Sequence, residues 1–208
     1  MIIDIPGIIL LCIGIYFIYF NFNKIINSVY VTSTIDNRQY LVNNKKDKQQ
    51  SADTLARLTK KLKKFIECLV EKKNKNKNKY KKEQRQGIDR LNKNFNPDNV
   101  IENVGSIEDI FSDSTSYSLN KGKQIVFCIR SKETNKIHND NLLMFVGLHE
   151  LGHLMSSSIG HTKEFWANFK FLLQEAIDCG QYQYKNNHFK ETPTEYCGVT
   201  IANSPIDK

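Results

Sequence analysis

The stretch His149-Glu150-Leu151-Gly152-His153 holds the residue types and spacing in this 208-residue chain that could do chemistry. On a helix, histidines four apart stack on one face, where two imidazole nitrogens can reach a single zinc ion at ~2.0–2.1 Å. Glu150, one residue along, points beside the metal. There it can take a proton from a zinc-bound water while that water attacks a carbonyl. With this composition the pattern should arise by chance about 0.006 times, so it reads as a motif rather than as two unrelated core histidines. A catalytic zinc site usually has three protein ligands and one open position. His161, eight residues beyond His153 and just after Gly160, is the favoured third ligand, because a chain reversal there would return its imidazole to the metal. Glu175, followed by Asp178, is the competing ligand; the alternative for both is a solvent-facing or hydrogen-bonding helix surface. His138 and His188 have no motif around them and read as exposed loop residues.

These side chains need elements to position them. Gln124 to Arg130 alternates as a strand, with Ile125, Phe127 and Ile129 on one face. A polar loop, Ser131 to Asn139, leads to Asp140 or Asn141 as N-cap of a helix that carries the motif to about Ser157. A second helix places Phe165, Trp166, Phe169, Leu172, Leu173 and Ala176 at helical spacing, which reads as core rather than substrate contact. Tyr182, Tyr184 and Tyr196 are within reach as oxyanion stabilisers, although each also reads as structural.

Asn141 to Trp166, NLLMFVGLHELGHLMSSSIGHTKEFW, preceded by KQIVFCIR, resembles the WLM and SprT-like zinc metallopeptidases, particularly versions from large eukaryotic DNA viruses. The resemblance covers about Lys121 to Asp178, more vaguely the tail Cys197 to Ile201, and none of the first 95 residues. It implies an α+β zincin-like domain with zinc on His149, His153 and His161 and Glu150 as catalytic base. It also implies a small sheet whose edge strand, for which Gln124 to Arg130 is the candidate, holds an extended peptide.

The remainder of the chain sets the context. From Ile5 to Phe20 every residue is apolar, Gly or Pro, and Ile2 and Ile3 extend the run. This predicts an uncleaved transmembrane helix at residues 1–23. Residues 45–93 hold 18 basic and 6 acidic residues, a local +12 within a whole-chain +8. By the positive-inside rule that excess puts the C-terminal domain on the cytoplasmic side. Residues 24–95 read as a basic linker, a candidate for contact with anionic lipid, containing an amphipathic helix at about 51–72 that could lie on a membrane, pair with another helix or pack against the catalytic domain, and Lys72 to Lys82 as solvated. Asn96-Pro97 then opens the metallopeptidase domain, 96–208. Five scattered cysteines with no CxxC pair argue against a disulfide scaffold and for a reducing compartment.

The expectation is a membrane-anchored zinc metalloendopeptidase acting on protein or peptide substrates. A DNA-dependent protease using the basic segment on nucleoprotein is the first alternative, with nucleic acid the less favoured partner. A membrane-anchored scaffold with a structural or vestigial zinc site is the second.

Overall fold

The computed structural model describes residues 5–76, 78–104, 116–119 and 121–207, without the side chains of 20–26. Its architecture is α+β. Helix α1 (Ile5–Asn27) leads into a hairpin of β1 (Ser28–Thr32) and β2 (Gln39–Asn43), whose antiparallel register sets Ser28 opposite Asn43 and Thr32 opposite Gln39. Two helices follow, α2 (Lys48–Lys75) and α3 (Lys82–Asn94), and then β3 (Val100–Glu102), β4 (Tyr117–Leu119) and β5 (Gln124–Phe127). Helices α4 (Asp140–Met155), α5 (Lys163–Asp178) and the short α6 (His188–Glu191) precede a second hairpin, β6 (Thr194–Tyr196) and β7 (Val199–Ile201).

The motif helix α4 lies at the centre. Leu143, Met144, Leu148, Leu151, Leu154 and Met155 are all without solvent exposure, so an apolar pattern around the whole helix is satisfied by burial on every side. Two glycines let neighbours approach. A Cβ on Gly147 would meet Leu62 of α2 at 3.0 Å, and one on Gly152 would meet Phe165 of α5 at 3.1 Å. The helix begins where Asn139 accepts a hydrogen bond from the Leu142 amide at 2.9 Å.

Helix α2 extends the expected 51–72 by three residues, nearly a turn, at each end. Leu55, Leu58, Leu62, Phe65 and Leu69, spaced at three or four, are buried, each contributing about 1.5–3 kcal/mol of apolar burial. Lys72, Lys73 and Lys75 occupy its last turn, where cations oppose the helix dipole. Helix α3 adds Ile88 and Leu91 to the same core. Residues 24–95 are therefore not a linker: the hairpin and both helices share one hydrophobic core with 96–207, and α2 packs directly on the motif helix. Tyr80, expected on a solvated stretch, is buried with its hydroxyl donating to Glu175 at 2.9 Å. Lys77 lies outside the described residues.

Among the described residues no helix is long and apolar enough to cross a membrane. The apolar side chains described on α1 run from Ile5 to Tyr19, a rise of about 22 Å against a hydrocarbon core of ~30 Å. Ile2 and Ile3 lie outside the described residues. This corrects the expected transmembrane helix at residues 1–23, and with it the single-pass membrane placement and the cytoplasmic orientation that depended on it.

Strand order in the main sheet is β3-β5-β4, with β3 parallel and β4 antiparallel to β5. Gln124–Phe127 is thus the central strand, which corrects its expected place at the edge; β4 holds that place. Ile125, Val126 and Phe127 are buried because a central strand is covered on both faces.

Two disulfides correct the reading of the cysteines. Cys68 of α2 joins Cys179 at the end of α5, and Cys128 after β5 joins Cys197 in the β6–β7 turn, leaving Cys12 free and exposed. They close loops of 111 and 69 residues, and their presence removes the ground for expecting a reducing compartment. Replacing Cys128 and Cys197 together by serine is expected to cost about 2–4 kcal/mol through the freed chain entropy of the unfolded state. Chemical denaturation under non-reducing conditions reads this directly; an unshifted midpoint would mean that the bridge constrains nothing.

Candidate metal centre and active-site cleft

The three motif histidines converge. One ring nitrogen from each of His149, His153 and His161 lies within 4.8 Å of the other two, and the Nε2 atoms of His149 and His161 are 3.0 Å apart. Two tetrahedral zinc ligands at 2.0–2.1 Å would stand about 3.3 Å apart. The donor set therefore fits a zinc ion, which takes imidazole nitrogens. Burial, then the neighbouring imidazoles, hold the His149 ring down at about 3. Burial, then His161 and Lys121, hold His153 at about 4. Both rings therefore stay in the unprotonated form that binds metal.

Phe165 is the common floor. Its fully buried ring stacks on His153 at 4.3 Å and meets His149 and His161 edge-on at 4.8 and 4.7 Å.

Glu150, the next residue on α4, is 2% exposed, and its Oε2 atom has no hydrogen-bond partner in the protein. Burial pushes its carboxyl up to about 8. An unpartnered buried carboxyl oxygen beside three imidazoles is a costly arrangement for stability alone. It is the arrangement a cation or a reacting water would complete.

His161 sits on a turn rather than a helix, and the turn is held from several sides. Gly160 adopts φ +79°, the left-handed conformation that a side chain resists. The Glu164 carboxylate, in the first turn of α5, accepts the amides of Ser157 at 2.8 Å and Ser158 at 3.0 Å. Lys121 Nζ donates to the carbonyls of Ser156, Ser157 and Ser158 at 2.8, 2.7 and 3.1 Å. Arg90 Nε donates to the Met155 carbonyl at 2.9 Å. Sequence reasoning passed over Lys121, Glu164 and Arg90. The available signal was Thr162-Lys163-Glu164, a helix N-cap followed by an acid in the first turn.

Burial raises the Glu164 carboxyl, but the hydrogen bonds from Ser157 and Ser158 outweigh it and bring the group down to about 2 from an ordinary 4.5. A carboxyl depressed in the folded chain stabilises it above its unfolded value and loses that contribution as pH falls through the folded value. Glu164→Gln should therefore flatten the part of the stability profile between pH 4.5 and 2. Urea titrations at a series of pH values check it: a slope equal to wild type over that window would contradict the assignment.

Glu175 is not part of the cluster. Its carboxylate, 7% exposed, is taken by Lys72 at 3.0 Å, Lys79 at 3.5 Å and the Tyr80 hydroxyl, while Asp178 lies 4.0 Å from Lys72. His138 is half-buried against the Tyr196 ring, and His188 opens α6; neither approaches the motif. Of the three tyrosines, Tyr182 and Tyr184 line a different cavity. Tyr196 stands beside Glu150, its hydroxyl 2.6 Å from Ser116 Oγ.

An open cleft of about 620 Å³ runs over the site, lined by the three histidines, Glu150, Lys121, Ile159 and the Tyr117–Ser118 stretch of β4. Among the described residues β4 is an outer strand of its sheet, and it lies along the cleft.

The chain is 34% identical over 172 residues to "Uncharacterized protein R325" of Acanthamoeba polyphaga mimivirus, an alignment that covers 83% of this chain and 81% of that protein. The chain belongs to the family of that viral protein. Similarity within this viral family extends to "Uncharacterized protein 042R" of Invertebrate iridescent virus 3, at 37% identity over 101 residues, 49% of this chain and 58% of that protein. It is also 41% identical over 69 residues to "Uncharacterized protein 136R" of Invertebrate iridescent virus 6, 32% of this chain and 38% of that protein. No protein-family model matches the chain. No solved structure matches it.

Proposed function

We propose that this chain is a zinc-dependent metalloendopeptidase of the WLM and SprT-like type, hydrolysing peptide bonds in protein substrates. The observation that carries the reading is the meeting of three imidazole nitrogens with the unpartnered, buried carboxyl of Glu150 at the floor of an open cleft. His149, His153 and His161 would hold the ion. When bound, it would supply a Lewis acid to the scissile carbonyl and lower the pKa of water at the site. Glu150 accepts the proton from the attacking water at its carboxylate and passes it to the leaving amine nitrogen. β4 offers the edge against which the substrate backbone lies extended.

Charge placement favours general peptide hydrolysis over the nucleoprotein alternative. Arg57 pairs with Asp140, Lys72 with Glu175, Lys73 with Asp89 and Arg90 with Glu164. Four of the segment's 18 basic side chains are thus held in ion pairs with carboxylates of the fold, which breaks up any continuous track for phosphate or anionic lipid. A structural or vestigial site has no use for a buried base beside the ligands, which weighs against the scaffold alternative. The test is cleavage of an unfolded protein by the full chain. Activity should vanish with a chelator, return with zinc, and need no DNA. Activity insensitive to the chelator would refute the reading.

A further inference from the structure

Two cavities meet at His149 and Glu150. Besides the wide cleft, a smaller pocket of about 230 Å³ opens beside Glu150 and is lined by neither His153 nor His161. Val146 of α4, Trp166 and Phe169 of α5, and Tyr196, Val199 and Ile201 of the β6–β7 hairpin form its walls. Glu150 is the only charged residue among the described lining.

Resting on the peptidase reading, we infer that this pocket receives the side chain of the substrate residue that supplies the leaving amine, and that it selects a large apolar residue there. In the hydrolysis the C–N bond breaks, the water oxygen joins the carbonyl carbon, and the proton that Glu150 took from water goes to the nitrogen. The amine side of the substrate must then stand at Glu150 rather than over His153 and His161, and the apolar pocket lies on that side. Its walls are fixed before binding. The hairpin turn is tied by Cys128–Cys197, and Tyr196 is held by Ser116. An apolar site formed in advance loses little ordering entropy when filled. A carboxylate entering it would be desolvated with no cationic partner, and an ammonium would find only Glu150, the carboxyl that the reaction needs free.

The test digests an unfolded protein of mixed composition with the full-length chain and identifies the new N-termini by mass spectrometry. Leu, Met and Phe should exceed Asp and Lys as first residues of the products by at least about tenfold. Val199 is 41% exposed at the rim, so Val199→Glu should fold and shift that position toward Lys and Arg; Trp166→Glu, from a residue 47% exposed, should do the same. If new N-termini follow the substrate's composition while Glu150→Gln still abolishes cleavage, the pocket assignment fails and the peptidase reading stands. Variants that fold, cleave and keep the wild-type preference likewise overturn the pocket. Absence of any glutamate-dependent cleavage overturns both.

Discussion

Glu150→Gln is expected to leave the histidine cluster and its bound zinc intact while lowering kcat for protein cleavage by about 100- to 10,000-fold. That corresponds to about 3–5 kcal/mol of barrier. The size of the effect follows from what glutamine keeps and loses. It has nearly the shape of glutamate, so the packing around a side chain only 2% exposed is preserved. It offers no site for a proton, so neither the attacking water nor the leaving nitrogen is served. Because no protein group bonds to Glu150 Oε2, the substitution breaks no hydrogen bond on that side, and the loss should appear in catalysis rather than in folding. Steady-state cleavage and metal content measured on the same preparation separate the two. Equal cleavage by wild type and variant would remove Glu150 from the mechanism.

Arg130→Met should cost about 3–5 kcal/mol of stability. Arg130, 6% exposed, donates from Nε to Glu102 at 3.1 Å. Its two terminal nitrogens reach Asp47 at 2.6 and 3.0 Å, and one also meets the Ser51 hydroxyl. Glu102, 1% exposed, accepts the Asn43 amide with its other oxygen at 2.9 Å. One guanidinium thus joins the start of α2, the end of β3 and the segment after β5, and through Glu102 the end of β2. Removing it strands a buried carboxylate, which costs far more than the intact pair gains. Combining Arg130→Met with Glu102→Gln should recover a large part of the loss, since the stranded charge is gone. Urea unfolding of the two single variants and the double variant measures this coupling; a loss below about 1 kcal/mol for Arg130→Met would contradict the account.

How legible these features were depends on how local they are. His149, Glu150 and His153 follow from helix periodicity within five residues, and His161 from a nearby glycine that turns the chain, so the cluster needs little from the distant fold. The scaffold is different. Val29, Val31, Tyr40 and Val42 alternate on either side of a turn at Asn37, φ +59°, a hairpin signal that the neighbouring run of lysines and asparagines masks in the sequence. The leucine spacing of α2 shows an apolar face but does not say what covers it; in the fold Leu58 and Leu62 meet Gly147 of the motif helix. Cysteine pairing is a matter of position in space: Cys68 and Cys179 meet only once α2 lies along α5. The edge role given to Gln124–Arg130 failed because β4, three residues long, is too short to announce itself as a strand. The apolar run Ile5 to Phe20 is continuous, but at about 1.5 Å per residue it falls short of a ~30 Å hydrocarbon core, and among the described residues no helix is long and apolar enough to cross one.

The proposed peptidase depends on His149, His153 and His161 holding a zinc ion. Full-length protein, freed of metal and re-equilibrated with zinc, should retain one ion per chain after dialysis, measured by elemental analysis. His161→Ala should retain far less, while Glu175→Ala should still hold one. Failure of the wild-type chain to retain zinc, or full retention by His161→Ala, would contradict it.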